Sequence, residues 1–190
     1  GLGLETIGLE PDARGFLPAN ERLETAVPGV YAVGDILGPE KVMLAHVASH
    51  EGMVAASNSL GGDEVMRYDA IPSAIFTTPE AACVGLSEAQ AAAQGLEPVT
   101  ATVLVRSMGK AQATGELAGE LKLVAAGADG RLLGVHLTGA RATELIGEAG
   151  LAVTKGLTLH DLAETIHAHP TLAELFPEAA LKALGRAVHG

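Results

Sequence analysis

Leu121-Lys122-Leu123-Val124 and Leu132-Leu133-Gly134-Val135-His136-Leu137, joined across Gly127-Ala128-Asp129-Gly130, decide the fold. Two short apolar runs linked by a glycine-bounded turn describe an antiparallel hairpin. Upstream, Val99-Thr100-Ala101-Thr102-Val103-Leu104-Val105 is β-branched and roughly alternating, as a further strand would be. Ile71 to Phe76 and Ala82 to Gly85 read as two more, separated by the turn Thr78-Pro79-Glu80.

Helices surround this block. Ser87-Glu88-Ala89-Gln90 fits a capping box and Gly95 a stop, giving a helix over about 87–94. Leu145, Ile146, Ala149, Ala152 and Val153 share one helical face that closes at Gly156. Thr158-Leu159-His160-Asp161 opens another helix, and Thr171-Leu172-Ala173-Glu174 opens the last, running towards Leu184. Strands followed by helices give an α+β class for residues 68–190, an antiparallel β-sheet flanked by helices.

Residues 1–67 have a different character. Pro11-Asp12, Arg14-Gly15 and Pro28-Gly29 punctuate a polar, turn-rich start. Val30-Tyr31-Ala32-Val33 reads as a short buried strand delivering Gly34-Asp35, and Met43 to Leu60 as a helix ended by Gly61-Gly62. The opening residues lack an initiator Met and read as the interior of a longer protein.

Composition excludes several functions. The net charge is −11, and the 12 Lys and Arg are spread too thinly to form a stripe that neutralises phosphates, which argues against nucleic acid. No run of about 18 apolar residues offers a membrane span. The single cysteine, Cys83, cannot form an internal disulphide, and its apolar setting reads as that of a buried, inert thiol. The histidines lack the helical spacing of a zinc site. No Gly-x-Gly-x-x-Gly follows a strand, so a complete dinucleotide-binding unit is missing, and there is no Cys pair or Gly-x-Ser-x-Gly.

His167-Ala168-His169-Pro170-Thr171-Leu172-Ala173-Glu174 carries the chemistry. Pro170 pushes the backbone of His169 out of the helical region, and Thr171 then caps a helix whose first turn holds Glu174. A carboxylate accepting from one imidazole nitrogen fixes the tautomer and raises the basicity of the other, as a general base requires. Thr171-x-x-Glu174 is equally a plain capping box, so spacing alone leaves both readings open. His160 and His167 read as surface or packing residues. Gly34 lets something approach the backbone, and Asp35 can accept bonds from ligand hydroxyls or merely cap the next segment.

Together these segments resemble the C-terminal part of the pyridine nucleotide–disulphide oxidoreductases, along nearly the whole chain. Leu23-Glu-Thr-Ala-Val-Pro-Gly-Val-Tyr-Ala-Val-Gly-Asp35 is similar to the family's second FAD motif. Met43-Leu44-Ala45-His46 with Glu51-Gly52, and His167 to Glu174, resemble the branch that acts on dihydrolipoyl thiols. Ile71-Pro72-Ser73, Thr78-Pro79-Glu80 and Val84-Gly85 resemble the opening of the dimerisation domain.

The resemblance implies that residues 1–67 are the tail of an FAD-binding α/β domain and 68–190 the interface domain. It implies that Asp35 bonds the ribityl chain of FAD and that Met43, Leu44, Ala45 and His46 line the flavin. His169, held by Glu174, becomes the base that deprotonates the dithiol at the partner subunit's flavin in a homodimer. The parent enzyme would be cytoplasmic and use FAD and NAD. It would serve the lipoyl domain and acyltransferase component of 2-oxoacid dehydrogenase complexes. The chain alone, lacking the redox Cys pair, would bind no cofactor and be inactive. A sister reductase for glutathione, mercuric ion or another thiol, and a non-enzymatic dimerisation module, remain as alternatives. The chain departs from the family pattern at His50, at Ala173, and in two extra residues between Asp35 and Met43.

Overall fold

The structure is a computed structural model that describes residues 2–189; Gly1 and Gly190 lie outside the described residues. The chain divides into two compact units, residues 1–68 and 69–190.

The first unit is mostly loop. A short 3-10 helix, Gly34–Leu37, packs on helix α1, Ala45–Ser59. The expected strand at Val30–Val33 is reduced to a single bridge between Glu24 and Tyr31. Only Ala32 of that run is buried, and Val33 is 38% exposed. A strand needs a ladder on at least one edge, and this segment has one pair to join. Asn58, buried near the end of α1, substitutes for sheet bonding. Its amide donates to the Arg22 and Glu64 carbonyls, and its oxygen accepts from the Glu64 N–H.

The second unit is built on a five-stranded antiparallel sheet in the order β1-β2-β5-β4-β3. The strands are β1 Ser73–Ile75, β2 Glu80–Gly85, β3 Pro98–Leu104, β4 Gly119–Ala126 and β5 Leu132–Gly139. The β4–β5 hairpin that opened the sequence reading is present, Leu123 facing Val135, with a bulge at Val124/Ala125. Gly134 sits where β5 passes the end of β2. A Cβ there would lie 2.1 Å from the Leu86 carbonyl oxygen, so only glycine permits this crossing.

The remaining helices are α2 Glu88–Ala93, α3 Gly109–Thr114, α4 Ala142–Lys155, α5 Leu159–Glu164 and α6 Leu175–Ala183. Alternation along the strands separates two faces. Leu121, Leu123, Val135 and Leu137 enter a large core with Ile146, Ala149, Leu162, Leu175 and Phe176 of the helices. Phe176 is wholly buried at its centre. Beneath α2 a smaller cluster joins Ala91, Val124, Ala126 and Leu133. The box at Ser87 forms as expected, the Ser87 N–H donating to Gln90 Oε1 at 2.9 Å. Helix α3 was not foreseen, because Gly109-Lys110-Ala111-Gln112 has neither a capping residue nor an apolar stripe.

Cys83 differs from its expected burial. It is half-buried on β2, opposite Ser73 and His136 in register, on a face shared with Lys122. Val84, next to it, takes the buried position instead. Glu178 of α6 is buried but satisfied, accepting from the backbone N–H groups of Val188 and His189 at 2.9 and 2.6 Å. No described helix is long and apolar enough to cross a membrane.

Candidate active site

Helix α5 begins on a capping box between Thr158 and Asp161 and ends at Glu164. The chain then runs through Thr165 to Pro170 before a 3-10 turn, Leu172–Glu174, leads into α6. Side chains pin this loop at both ends. The Thr165 hydroxyl donates to the Asp161 carbonyl at 2.6 Å, and the Thr171 hydroxyl donates to the Ala168 carbonyl at 2.7 Å. His167 turns inward, its side chain 8% exposed. Its Nδ1 lies 2.9 Å from the Thr165 carbonyl and its Nε2 2.7 Å from Glu148 Oε1 on α4.

His169 turns outward. The peptide between it and Pro170 is cis, and its side chain is 74% exposed. Its Nδ1 lies 2.9 Å from Glu174 Oε1 and 3.2 Å from Oε2, while Oε2 also accepts the Thr171 N–H at 2.9 Å. An ionised carboxylate only accepts, so Nδ1 holds a hydrogen, and in the neutral ring the lone pair belongs to the outward Nε2. The Thr171 N–H holds the Glu174 carboxyl below the ordinary range; partial desolvation opposes this, and the bond and charge of His169 add to it. Gly109 borders the ring, its virtual Cβ 3.6 Å from His169 Cε1. Cap and His–Glu pair are thus the same carboxylate, divided between its two oxygens. An oriented imidazole with a free, exposed nitrogen can take a proton from an approaching acid.

The first unit carries the second set of residues singled out from the sequence. Asp35 stands exposed in the turn that starts at Gly34. Gly34 has φ +77°, and a Cβ there would press on Ala48 of α1 at 3.3 Å. Met43 is exposed, Leu44 is the extended residue before α1, and Ala45 and His46 form its exposed first turn. No side chain caps that helix start. The sequence offered Glu51 only as part of a resemblance, with no role behind this corner. Glu51, 1% exposed, accepts the Gly34 N–H at 2.6 Å and the Tyr68 hydroxyl at 2.7 Å. Sequence reading missed Glu148, which lies 19 residues from His167 and so outside any local motif. Among the described residues no cluster of three or more His, Cys, Asp or Glu could hold a metal.

The second unit thus joins a five-stranded antiparallel sheet to an oriented His–Glu pair, and the first carries a Gly-Asp turn, as the resemblance to flavin-dependent disulphide oxidoreductases leads one to expect. The chain belongs to the pyridine nucleotide–disulphide oxidoreductase family: the family's dimerisation-domain profile matches residues 71–180, and its pyridine nucleotide–disulphide oxidoreductase profile residues 1–52. Among curated proteins it is 47% identical over 189 residues to a dihydrolipoyl dehydrogenase of Halobacterium salinarum. It is 43% identical over 189 residues to a dihydrolipoyl dehydrogenase of Geobacillus stearothermophilus. Each alignment takes in 99% of this chain but only 39% and 40% of the relative, so the chain spans about two fifths of the length of these relatives.

The crystal structure of LpdA from Mycobacterium tuberculosis superposes with a TM-score of 0.89 at 30% identity, over 96% of this chain and 39% of that one. The HOCl-induced flavoprotein disulphide reductase RclA from Escherichia coli shares the fold, with a TM-score of 0.86 at 24% identity over 94% of this chain and 41% of that one.

Proposed function

We propose that this chain is the C-terminal part of a dihydrolipoyl dehydrogenase, with residues 1–67 from its FAD domain and 68–190 its interface domain. The observation that carries this reading is His169, locked by Glu174 through Nδ1 and open at Nε2. The relatives named dihydrolipoyl dehydrogenase, at 42–47% identity over almost the whole chain, favour it over a glutathione or mercuric reductase.

In this reading Nε2 accepts the proton of a dihydrolipoyl thiol. The resulting thiolate is the form able to attack a disulphide sulphur. Glu174 then faces an imidazolium, and its ionised carboxylate stabilises the charge it has oriented. The pair serves the partner subunit's flavin in a homodimer, which divides one site between two chains. Asp35 would hold ribityl hydroxyls, and Met43, Leu44, Ala45 and His46 would border the flavin at the uncapped start of α1. The residues fit such a group: Gly34 lets the turn pack closely on α1, Asp35 is an exposed acceptor, and Val33 and Met43 offer exposed apolar surface. FAD, when bound, supplies electron transfer between the dithiol couple and NAD. The enzyme would act in the cytoplasm on the lipoyl domain and dock to the acyltransferase component of 2-oxoacid dehydrogenase complexes.

The test is steady-state oxidation of dihydrolipoamide by the full-length enzyme. His169→Gln is expected to lower kcat by roughly 10²–10⁴-fold, while the flavin stays bound. The isolated 190-residue chain is expected to give no turnover. A His169→Gln enzyme at full rate would remove the proposed base.

A further inference from the structure

The first unit buries one carboxylate almost completely, and the chemistry above does not use it. Glu51 lies on α1, on the side facing the Gly34–Leu37 turn, 1% exposed. Its two oxygens are divided. Oε2 accepts the Gly34 N–H at 2.6 Å, and Oε1 accepts the Tyr68 hydroxyl at 2.7 Å. Tyr68 is the last residue of the first unit, and the ammonium of Lys41 lies over its ring, 4.7 Å from the centroid.

A buried carboxylate costs free energy unless its bonds are made, and those to a charged acceptor are the stronger kind. One carboxylate therefore fixes three separate pieces of chain: α1, the turn carrying Asp35, and the residue at which the unit ends. Gly34 is the point of most freedom in that turn. Its φ of +77° is held by the bond from its N–H to Glu51. Burial, then the bond to Glu51 and its charge, push the Tyr68 hydroxyl well above its ordinary pKa, so it stays a donor across the physiological range.

We infer that Glu51, with Tyr68 as its anchor, is a positioning residue for flavin binding: it sets the Gly34-Asp35 backbone in the orientation that presents the Asp35 carboxylate to the cofactor. The inference rests on the proposed role of Asp35. Neither residue touches the flavin. Both act through Gly34, so their loss weakens retention of FAD without removing a contact to it.

The experiment uses the full-length enzyme and FAD itself. Parent, Tyr68→Phe, Glu51→Gln and Glu51→Ala are stripped of flavin and titrated with FAD, following flavin fluorescence. Melting temperatures are recorded with and without FAD. Tyr68→Phe keeps the ring under Lys41 and removes one donor, and Glu51→Gln can still accept the Gly34 N–H, so both are gentler than Glu51→Ala, which leaves the Gly34 N–H without its acceptor. The expected result for Tyr68→Phe is a rise in the FAD Kd of roughly ten-fold, the order that loss of one bond to a buried charged group produces. Glu51→Gln, which keeps the Gly34 bond, rises less. The gain in Tm on adding FAD shrinks in the same order, which a purely structural role would leave unchanged because the difference cancels common destabilisation. Variants that bind FAD as tightly as the parent, with an unchanged gain, overturn the inference alone. A parent that takes up no FAD overturns the flavin reading and this inference with it.

Discussion

Glu174 serves two neighbours at once, closing the turn through the Thr171 N–H and orienting His169 with the same carboxylate. Its folded pKa lies below the ordinary value of 4.5, so the ionised form stabilises the fold. That contribution is fully present above the ordinary value and is lost as pH falls through the depressed one. Urea midpoints of the chain and of Glu174→Gln should therefore differ most near neutrality and converge as the pH falls below 4.5 and through the depressed value. Curves that stay parallel throughout would mean that the carboxylate does not favour the folded state. This residue also marks how far local spacing can be read. Thr171-x-x-Glu174 predicted the cap and allowed the pair, and only coordinates show that the two oxygens make them compatible. The contacts of Glu51 and Glu148 were not legible in the sequence because their partners lie 17 and 19 residues away.

At the scale of elements, the second unit was largely legible. Its apolar runs alternate, and its turns carry Gly, Pro or Asp where strands reverse, so period and punctuation agree. The failures were elements whose formation depends on distant contacts: α3, with no stripe, and Val30–Val33, which has strand composition and only one bridge. Two glycines test this distinction between local and tertiary control. Gly147 lies inside α4 with nothing within 4 Å of a virtual Cβ, so Gly147→Ala should stabilise the chain by about 0.5–1 kcal/mol. A Cβ on Gly134 would lie 2.1 Å from the Leu86 carbonyl oxygen, so Gly134→Ala should destabilise the chain by about 1–3 kcal/mol or more. Chemical denaturation of both variants decides the matter. Equal effects would show that β2 and β5 can separate at little expense.

At the scale of the molecule, sheet order matters more than sheet content. Strands β3, β4 and β5 follow one another as neighbours, but β2 pairs with β5, so Cys83 meets His136 across more than fifty residues of chain, and β1 depends on β2 alone. Pairings this distant close late, because loop entropy is lost before the contacts form. During synthesis on the ribosome, β1 and β2 leave the exit tunnel before the other strands of this sheet and can pair only with each other until β5 has been translated. The apolar strand residues Ala82 and Val84 stay open to solvent or chaperone for that interval. An arrest-peptide tension profile of the nascent chain should show little pulling force until residue 139 has cleared the tunnel, and then one sharp rise. The order of this sheet thus sets a timetable for manufacture, in which the earliest strands are the last to find their place.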